Sequence, residues 1–194
     1  MKTFDLKGTL RKDLGKKATK KVRNEDSIPC VLYGSGEPVH FTGNEKEYGL
    51  VINTSSTYQI NLNIEGKIFP AIMKDIQFHP VSDRPLHIDF IRIADGKPVI
   101  VSIPVRLEGF AKGVQQGGKL KLEMRRVKIS GLIQNLPDEL LLDVTEVEVG
   151  QSIKVRDLSY PDFNILDPKN AVIASVKTTR AAKGAADAAT PETK

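Results

Sequence analysis

Hydrophobic and polar residues alternate along much of the first ninety positions, with the two-residue period of a β-strand. The clearest case is residues 58–64 (YQINLNI). A Glu-Gly-Lys turn follows and residues 68–72 resume the alternation, so this stretch predicts a hairpin. The same period at residues 3–11, and the apolar run 28–33 that ends at Gly-Ser-Gly, predict two further strands.

Two stretches have the spacing of helices. Residues 16–23 (KKATKKVR) place Ala18 and Val22 one turn apart, which predicts a short basic helix. Residues 44–53 predict a second helix, because Asn44 suits the N-cap and a glutamate follows three residues later.

The second half of the chain is also mostly strand. Residues 99–107 alternate strictly, and the shorter apolar patterns near 120–129, 140–144 and 172–176 predict more strands. The Gln-Gln-Gly-Gly sequence at 115–118 predicts a flexible turn. The fold class is therefore mostly β with a few short helices.

The alternation breaks at residues 94–98 (ADGKP), where we place a domain boundary. The first domain is then residues 1–94 and the second, also β-rich, is residues 95–179. Residues 180–194 contain no apolar side chain larger than alanine, which predicts a disordered tail.

The strand at residues 84–93 (RPLHIDFIRI) raises the main functional question. Its alternation turns Ile88 and Phe90 to one side and His87 and Asp89 to the other. An imidazole beside a carboxylate could be a catalytic pair, part of a metal site, or a group that recognises a polar partner.

Composition places the chain among ordinary proteins of the cell interior. Of its 194 residues, 40% are hydrophobic and 27% charged, and no run of 18 apolar residues or apolar signal-peptide core is present. A single cysteine, Cys30, excludes an intramolecular disulfide and fits a reducing compartment. The expected location is therefore the cytoplasm, with no membrane partner.

Positive charge is concentrated near the N-terminus. The net charge is +5, yet the stretch from Lys7 to Arg23 has eight basic residues and one acidic residue, Asp13, which gives a local charge of +7. This concentration favours a polyanionic partner, either nucleic acid or an anionic surface. A solvated basic face would have the same composition.

Catalysis and metal binding are poorly supported. The chain has no GxSxG motif and no phosphate-binding glycine loop, and Cys30 lies within an apolar strand, where a buried inert thiol is expected. His79, Asp83, His87 and Asp89 lack the spacing of a zinc site. We therefore expect no enzyme activity, no cofactor, no metal and no small-molecule substrate.

Nucleic acid is the remaining partner class. Lysines would contact phosphates, whereas His87 and Asp89 could contact base edges or 2′-hydroxyl groups. Asp89 could equally hold His87 in one tautomer. Tyr33 could stack on a base, although an amphipathic tyrosine at a strand end is also common.

Two segments closely resemble a known family, the twenty-fifth protein family of the bacterial large ribosomal subunit. They are RKDLGKKATKKVRNEDSIPCVLYG and KDIQFHPVSDRPLHIDFIRI. The matching motif positions occur in order and with near-family spacing: Arg11-Lys12, Gly15, Lys20 to Arg23, Ile28-Pro29, Tyr33-Gly34, Gln77 to Pro80 and His87 to Phe90. The second half resembles the longer form of this family, called CTC or general stress protein, through SIPVRLEG and NLPDELLLDVTEVEVGQSIKV.

The resemblance implies an N-terminal β-barrel of six or seven strands that binds 5S ribosomal RNA, followed by the β-rich CTC-type domain. It implies a structural component of the large (50S) subunit, in its central protuberance, working in translation as a monomer within the cytoplasmic ribosome beside other large-subunit components. The residues it assigns to the RNA are Arg11, Lys16, Lys20, Lys21, Arg23, Tyr33, Gln77, His87 and Asp89.

One departure and one alternative accompany this interpretation. Family members usually have arginines where this chain has Lys20 and Lys21, and lysine cannot form the two-pronged contact of a guanidinium. Phosphate contact should survive there, whereas bidentate base contact is in doubt. The alternative function is a stress-linked interaction protein that recruits a protein partner through its C-terminal domain, with RNA binding secondary.

Overall fold

The computed structural model describes residues 1–94 and 96–179, and the chain divides into two compact units. Of the described residues, the first unit contains those of Met1–Ser102 and Ser130–Asp138, and the second contains Ile103–Ile129 and residues 139–179. The domain boundary at residue 94 stays a prediction. The tail predicted at 180–194 lies outside the described residues.

The first unit contains a closed six-stranded barrel, which confirms the predicted barrel fold. The strand order around the barrel is β1-β3-β2-β6-β5-β4, with β1 and β4 parallel and β2 and β6 also parallel. Its elements are β1 (Lys2–Leu10), α1 (Lys16–Asn24), β2 (Ser27–Tyr33), β3 (Val39–Asn44), α2 (Glu45–Ile52), β4 (Tyr58–Ile64), β5 (Lys67–Phe78) and β6 (Pro85–Arg92).

Aromatic side chains occupy the barrel interior. Phe90 packs against Phe41 with ring centroids 5.7 Å apart and against the edge of Tyr48 at 6.2 Å. All three are fully buried. Tyr48 belongs to α2, and its hydroxyl donates a 3.0 Å hydrogen bond to the backbone oxygen of Lys7. This contact fixes α2 to β1.

Both predicted helices are present. The side chain of Asn44 accepts a 3.0 Å hydrogen bond from the Lys46 N–H, so Asn44 is the N-cap of α2 as predicted. Helix α1 follows Gly15, whose φ of +114° lies in the region that favours glycine. It has no buried residue, so nearly all of its basic surface is available to solvent.

The second half of the chain forms two small sheets. Their strand orders are β10-β7-β9-β12 and β11-β13-β8. The elements are β7 (Val99–Glu108), α3 (Lys112–Gln115), β8 (Lys119–Leu122), β9 (Arg126–Gly131), β10 (Leu140–Asp143), β11 (Ser152–Lys154), β12 (Phe163–Ile165) and β13 (Val172–Lys177), with 3₁₀ turns at Ile133–Asn135 and Val155–Asp157.

The structure adds elements that the sequence pattern did not predict. A helical turn, α3, ends at Gln115, where a flexible turn was predicted to begin. Gly113 within this turn and Gly118 after it allow close backbone packing. A Cβ on Gly113 would lie 2.6 Å from the Glu148 carbonyl carbon, and one on Gly118 would lie 2.6 Å from the Gly113 oxygen. The segment is therefore a packed corner of the fold.

Candidate nucleic-acid interface

Strand β6 places His87 and Asp89 on the outer face of the barrel. Ile88 and Phe90, the intervening residues, are fully buried, as the alternation predicts. Strand β6 lies between β2 and β5, and its cross-strand partners put Gln77 of β5 opposite His87. These three polar side chains therefore share one surface.

His87 and Asp89 form a close, half-buried pair. Nδ1 of His87 lies 2.8 Å from Oδ1 of Asp89, and the two side chains are 28% and 29% exposed. The two atoms lie within ion-pair distance without forming a hydrogen bond, and the contact is an ion pair only when the imidazole is protonated. Both groups keep edges that can contact a partner.

Arg23 fixes the basic helix beside this strand. Its Nε and one terminal nitrogen donate hydrogen bonds of 3.1 and 2.9 Å to the backbone oxygen of Leu86. Leu86 directly precedes His87 in β6. A side chain assigned to RNA contact therefore also joins α1 to the polar face.

Arg11 shapes the entry to α1 in a similar way. One of its terminal nitrogens donates to the Thr19 hydroxyl at 3.1 Å and to the Asp13 backbone oxygen at 3.3 Å. Its backbone N–H donates to the His40 oxygen at 2.9 Å. The guanidinium therefore links the loop before α1 to the helix.

The lysines of α1 have a different environment. Lys16, Lys20 and Lys21 are exposed, and Lys21 lies 3.9 Å from the carboxylate of Glu25. An exposed ion pair of this length contributes little to stability and is readily exchanged. These three ammonium groups can therefore contact phosphates at low conformational cost.

Tyr33 lies at the end of β2, on the same outer face but further from α1. Along β2, Val31 is paired with Asp89 and Tyr33 with Ile91, which places Tyr33 two residues beyond the carboxylate. The Lys74 ammonium lies 5.6 Å from the centre of the Tyr33 ring. The structure thus adds a cation that sequence reasoning missed.

Lys74 could not be predicted from the sequence, for a structural reason. The pairing of β5 with β6 shifts register between Met73 and Asp75, so a simple alternation does not predict which side of the sheet Lys74 faces. The only indication of Lys74 in the sequence was its position between a predicted strand and Gln77. His40 was also unassigned, and it lies opposite Val31 on β3, a strand that the pattern did not predict.

Two other candidate groups have structural roles. Nδ1 of His79 accepts hydrogen bonds from the N–H groups of Val81 and Ser82, so this histidine stabilises the loop between β5 and β6. Cys30 is buried in β2, and burial raises the pKa of its thiol well above the ordinary range. This confirms the predicted burial of the thiol, and its low reactivity stays a prediction.

Two kinds of feature are absent from residues 1–94 and 96–179. No group of three or more His, Cys, Asp or Glu side chains in these ranges could hold a metal ion. None of the helices formed by these residues is both long enough and apolar enough to span a bilayer.

The geometry defines a class of protein, a closed β-barrel with a cationic helix joined to a polar sheet face. Comparison with known families identifies it further. Residues 6–90 match the Ribosomal L25p family, and residues 98–180 match the family described as ribosomal protein TL5, C-terminal domain.

Three similar proteins are each named large ribosomal subunit protein bL25. The protein from Phocaeicola vulgatus is 46% identical over 193 residues, covering 96% of this chain and 98% of the relative. The protein from Porphyromonas gingivalis is 46% identical over 188 residues, with coverages of 96% and 98%. The protein from Azobacteroides pseudotrichonymphae is 48% identical over 184 residues, with coverages of 94% and 97%.

The chain therefore belongs to the ribosomal L25p family. The predicted resemblance is confirmed, and so is the prediction that the chain is not an enzyme, because the family consists of ribosomal proteins.

Proposed function

We propose that this chain is a structural component of the large ribosomal subunit and binds 5S ribosomal RNA through its N-terminal domain. Residues 1–94 form that domain in this proposal, and residues 95–179 form a second domain. The chain acts in the cytoplasm as a single copy per ribosome, beside other large-subunit components. Its relatives, named for the large subunit, match it over nearly the whole length.

One observation carries the assignment of the surface. The two hydrogen bonds from Arg23 to the Leu86 oxygen hold α1 next to the strand that bears His87 and Asp89. The basic helix, which would bind phosphates, and the pair His87 and Asp89, which would select the RNA, therefore lie on one continuous surface. If they lay on different sides of the barrel, they could not contact the same stretch of RNA.

Affinity and selectivity come from different groups on this surface because of their chemistry. Exposed ammonium groups of α1 attract phosphates and release counterions, which gives affinity with little selectivity. The His87 ring can donate or accept, and the Asp89 carboxylate accepts from a 2′-hydroxyl or an exocyclic amine. Folded RNA helices present both kinds of donor in their wide minor groove. Gln77, with an amide that both donates and accepts, extends the same edge.

The nine residues assigned to RNA fall into three groups in this proposal. Lys16, Lys20 and Lys21 contact phosphates directly. Arg11 and Arg23 hold the helix and its entry loop while presenting their remaining N–H groups to the RNA. Base, ribose and stacking contacts fall to the sheet face: Tyr33, Gln77, His87 and Asp89.

The alternative, a stress-linked protein that recruits a partner through its second domain, is not favoured. The relatives that share both halves of the chain are named for the large ribosomal subunit. No feature of residues 96–179 in the structure points to a particular protein partner.

The direct test is to map the surface that 5S RNA covers on the full-length protein. We expect the backbone amide signals of α1 and of residues 86–92 to shift on addition of 5S RNA, while those of α2 stay in place. A transfer RNA at equal concentration is the matched control for non-specific charge. Equal shifts with both RNAs, or shifts confined to residues 99–177, would contradict the proposal.

A further inference from the structure

A second feature lies beyond Tyr33, where β2 and β6 end. It is a cavity of about 310 Å³ in the first unit, next to the turn that follows β2. Gly34 and Ser35 form one side, and three basic side chains contribute to the lining: Lys74, Arg92 and Lys97. We call it the cationic pocket.

The charged side chains described in the cationic pocket are all positive. None of the described residues that line it is acidic, and Lys74, Arg92 and Lys97 give that lining three positive charges. Two of them, Lys74 and Lys97, are exposed and free to move toward a ligand. An anionic group is therefore the expected occupant on electrostatic grounds.

Arg92 is held rigidly in this lining. One terminal nitrogen donates a 2.7 Å hydrogen bond to the Ser35 oxygen, and the guanidinium lies over the Phe69 ring at 4.6 Å. Its Nε is buried and has no hydrogen-bond partner among the described residues. Gly36 permits this arrangement, because a Cβ there would lie 2.9 Å from the Arg92 guanidinium.

The remaining lining is apolar. Ile91, Pro98, Val99 and Ile100 contribute to it, and Ile100 is 51% exposed. The Tyr33 ring lies nearby through its contact with Lys74. A ligand that satisfies the pocket therefore combines a negative charge with an apolar surface. A phosphate ion lacks the apolar part.

We propose that the cationic pocket binds one unstacked nucleotide of the bound RNA, with its base against the apolar lining and its phosphate between Lys74 and Lys97. The inference rests on the proposed function and extends its surface beyond Tyr33 and past residue 94, to residues 97–100, which belong to the same compact unit as the barrel. Sequence-tolerant recognition of single nucleotides commonly combines a stacking or apolar surface with cationic side chains. A pocket of about 300 Å³ is at the small end of the range for ligand sites, which suits a single nucleotide.

The test uses the full-length protein and adenosine 5′-monophosphate as the probe. We expect saturable shifts of the Gly34, Ser35 and Lys97 backbone amide signals, with a dissociation constant in the millimolar range. Inorganic phosphate should bind at least tenfold more weakly. The same affinity for phosphate, equal competition by hexaglutamate, or no saturable shift at these amides would overturn the proposal.

A double variant connects the pocket to RNA binding. Lys74→Gln/Lys97→Gln is expected to weaken 5S RNA binding threefold to tenfold and to lower the salt slope by about one to two, one per lost phosphate contact. The matched control is Lys46→Gln/Lys67→Gln, which removes two exposed lysines of the same unit away from the pocket. Equal affinities for the two double variants would overturn the assignment to RNA. Failure of the wild-type chain to bind 5S RNA contradicts the proposed function, whereas loss of the nucleotide response contradicts the pocket alone.

Discussion

The guanidinium of Arg23 donates two hydrogen bonds to one backbone oxygen, that of Leu86, sixty-three residues further along the chain. Nε is 3.1 Å and the terminal nitrogen 2.9 Å from that oxygen. Because α1 has no buried residue, this pair of hydrogen bonds is a principal tether of the helix to β6. The orientation of the basic helix therefore depends on an arginine in particular.

The first prediction concerns that tether. Arg23→Lys keeps the charge, but a single ammonium cannot donate two parallel hydrogen bonds in the geometry of the guanidinium fork. We expect faster hydrogen exchange in α1 and a loss of RNA affinity of about 1.5–3 kcal/mol, the usual range for hydrogen bonds that involve a charged group. The salt dependence of binding should be unchanged, since the charge is unchanged.

The control for this prediction is Lys17→Arg, which makes the opposite exchange at an exposed position of the same helix. It should leave hydrogen exchange in α1 unaltered. If Arg23→Lys also left exchange and affinity unaltered, the tether would have no role in binding.

The second prediction concerns the packing of Tyr48 on Gly43. A Cβ at Gly43 would lie 2.2 Å from the tyrosine ring, so the ring must move and its hydrogen bond to the Lys7 oxygen must lengthen. We expect Gly43→Ala to destabilise the barrel by about 1–3 kcal/mol, as overpacking of a core does. Chemical denaturation of the full chain measures this directly.

Gly49 supplies the matched control on α2. A Cβ at this position meets only the Asn53 side chain, at 3.8 Å, and alanine is the better helix former. Gly49→Ala should therefore be neutral or stabilise the protein by up to about 1 kcal/mol. Equal destabilisation by both substitutions would show that the contact between Tyr48 and Gly43 is not the cause.

The third prediction concerns Cys30. Burial raises the pKa of its thiol, so the folded protein keeps the thiol protonated at pH values where the unfolded chain, with an ordinary value near 9.0, ionises it. The stability contributed by this group is fully present below pH 9 and falls as the pH rises above it. The thiol of the folded protein should react with a disulfide reagent at pH 8 orders of magnitude more slowly than that of the protein in denaturant. Similar rates in both states would contradict the burial.

Much of the fold follows from local patterns in the sequence. The hairpin of β4 and β5, the N-cap at Asn44 and the burial of Ile88 and Phe90 each depend on neighbouring residues, and each prediction is confirmed. Strand β3 was not predicted, because its sequence VHFTGN has one large apolar residue, Phe41, and no sustained alternation. Its pairing with β2 determines its structure.

In the candidate site, too, some features depend on neighbouring residues and others depend on residues far apart in the sequence. The identities of His87, Asp89 and the α1 lysines could be selected from alternation, charge and family resemblance. The tether from Arg23 to Leu86 joins residues far apart in sequence, and the position of Lys74 depends on a register shift in β5. Neither is encoded in a local period, so neither could be predicted. The assignment of the nine residues to RNA contact stays a prediction.

The fourth prediction separates affinity from discrimination on the proposed surface. Lys20→Ala/Lys21→Ala removes two exposed charges, so 5S RNA binding should weaken and its salt slope should fall by about one to two. Both 5S RNA and a transfer RNA should lose affinity to a similar extent, because lysine contacts with phosphates are not sequence-specific. A larger loss of affinity for 5S RNA than for the transfer RNA would show that these lysines contribute to selectivity and would contradict the prediction.

The central claim is tested most directly by a salt-controlled titration of 5S RNA with the full-length protein and with Asp89→Ala. Removing a carboxylate from a phosphate-binding surface should strengthen binding if only net charge mattered. A recognition role for Asp89 predicts the opposite, a loss of roughly 1–3 kcal/mol at every salt concentration, because a specific hydrogen-bond acceptor is lost. Binding by Asp89→Ala that is as tight as wild type, or tighter, across the salt range would contradict it.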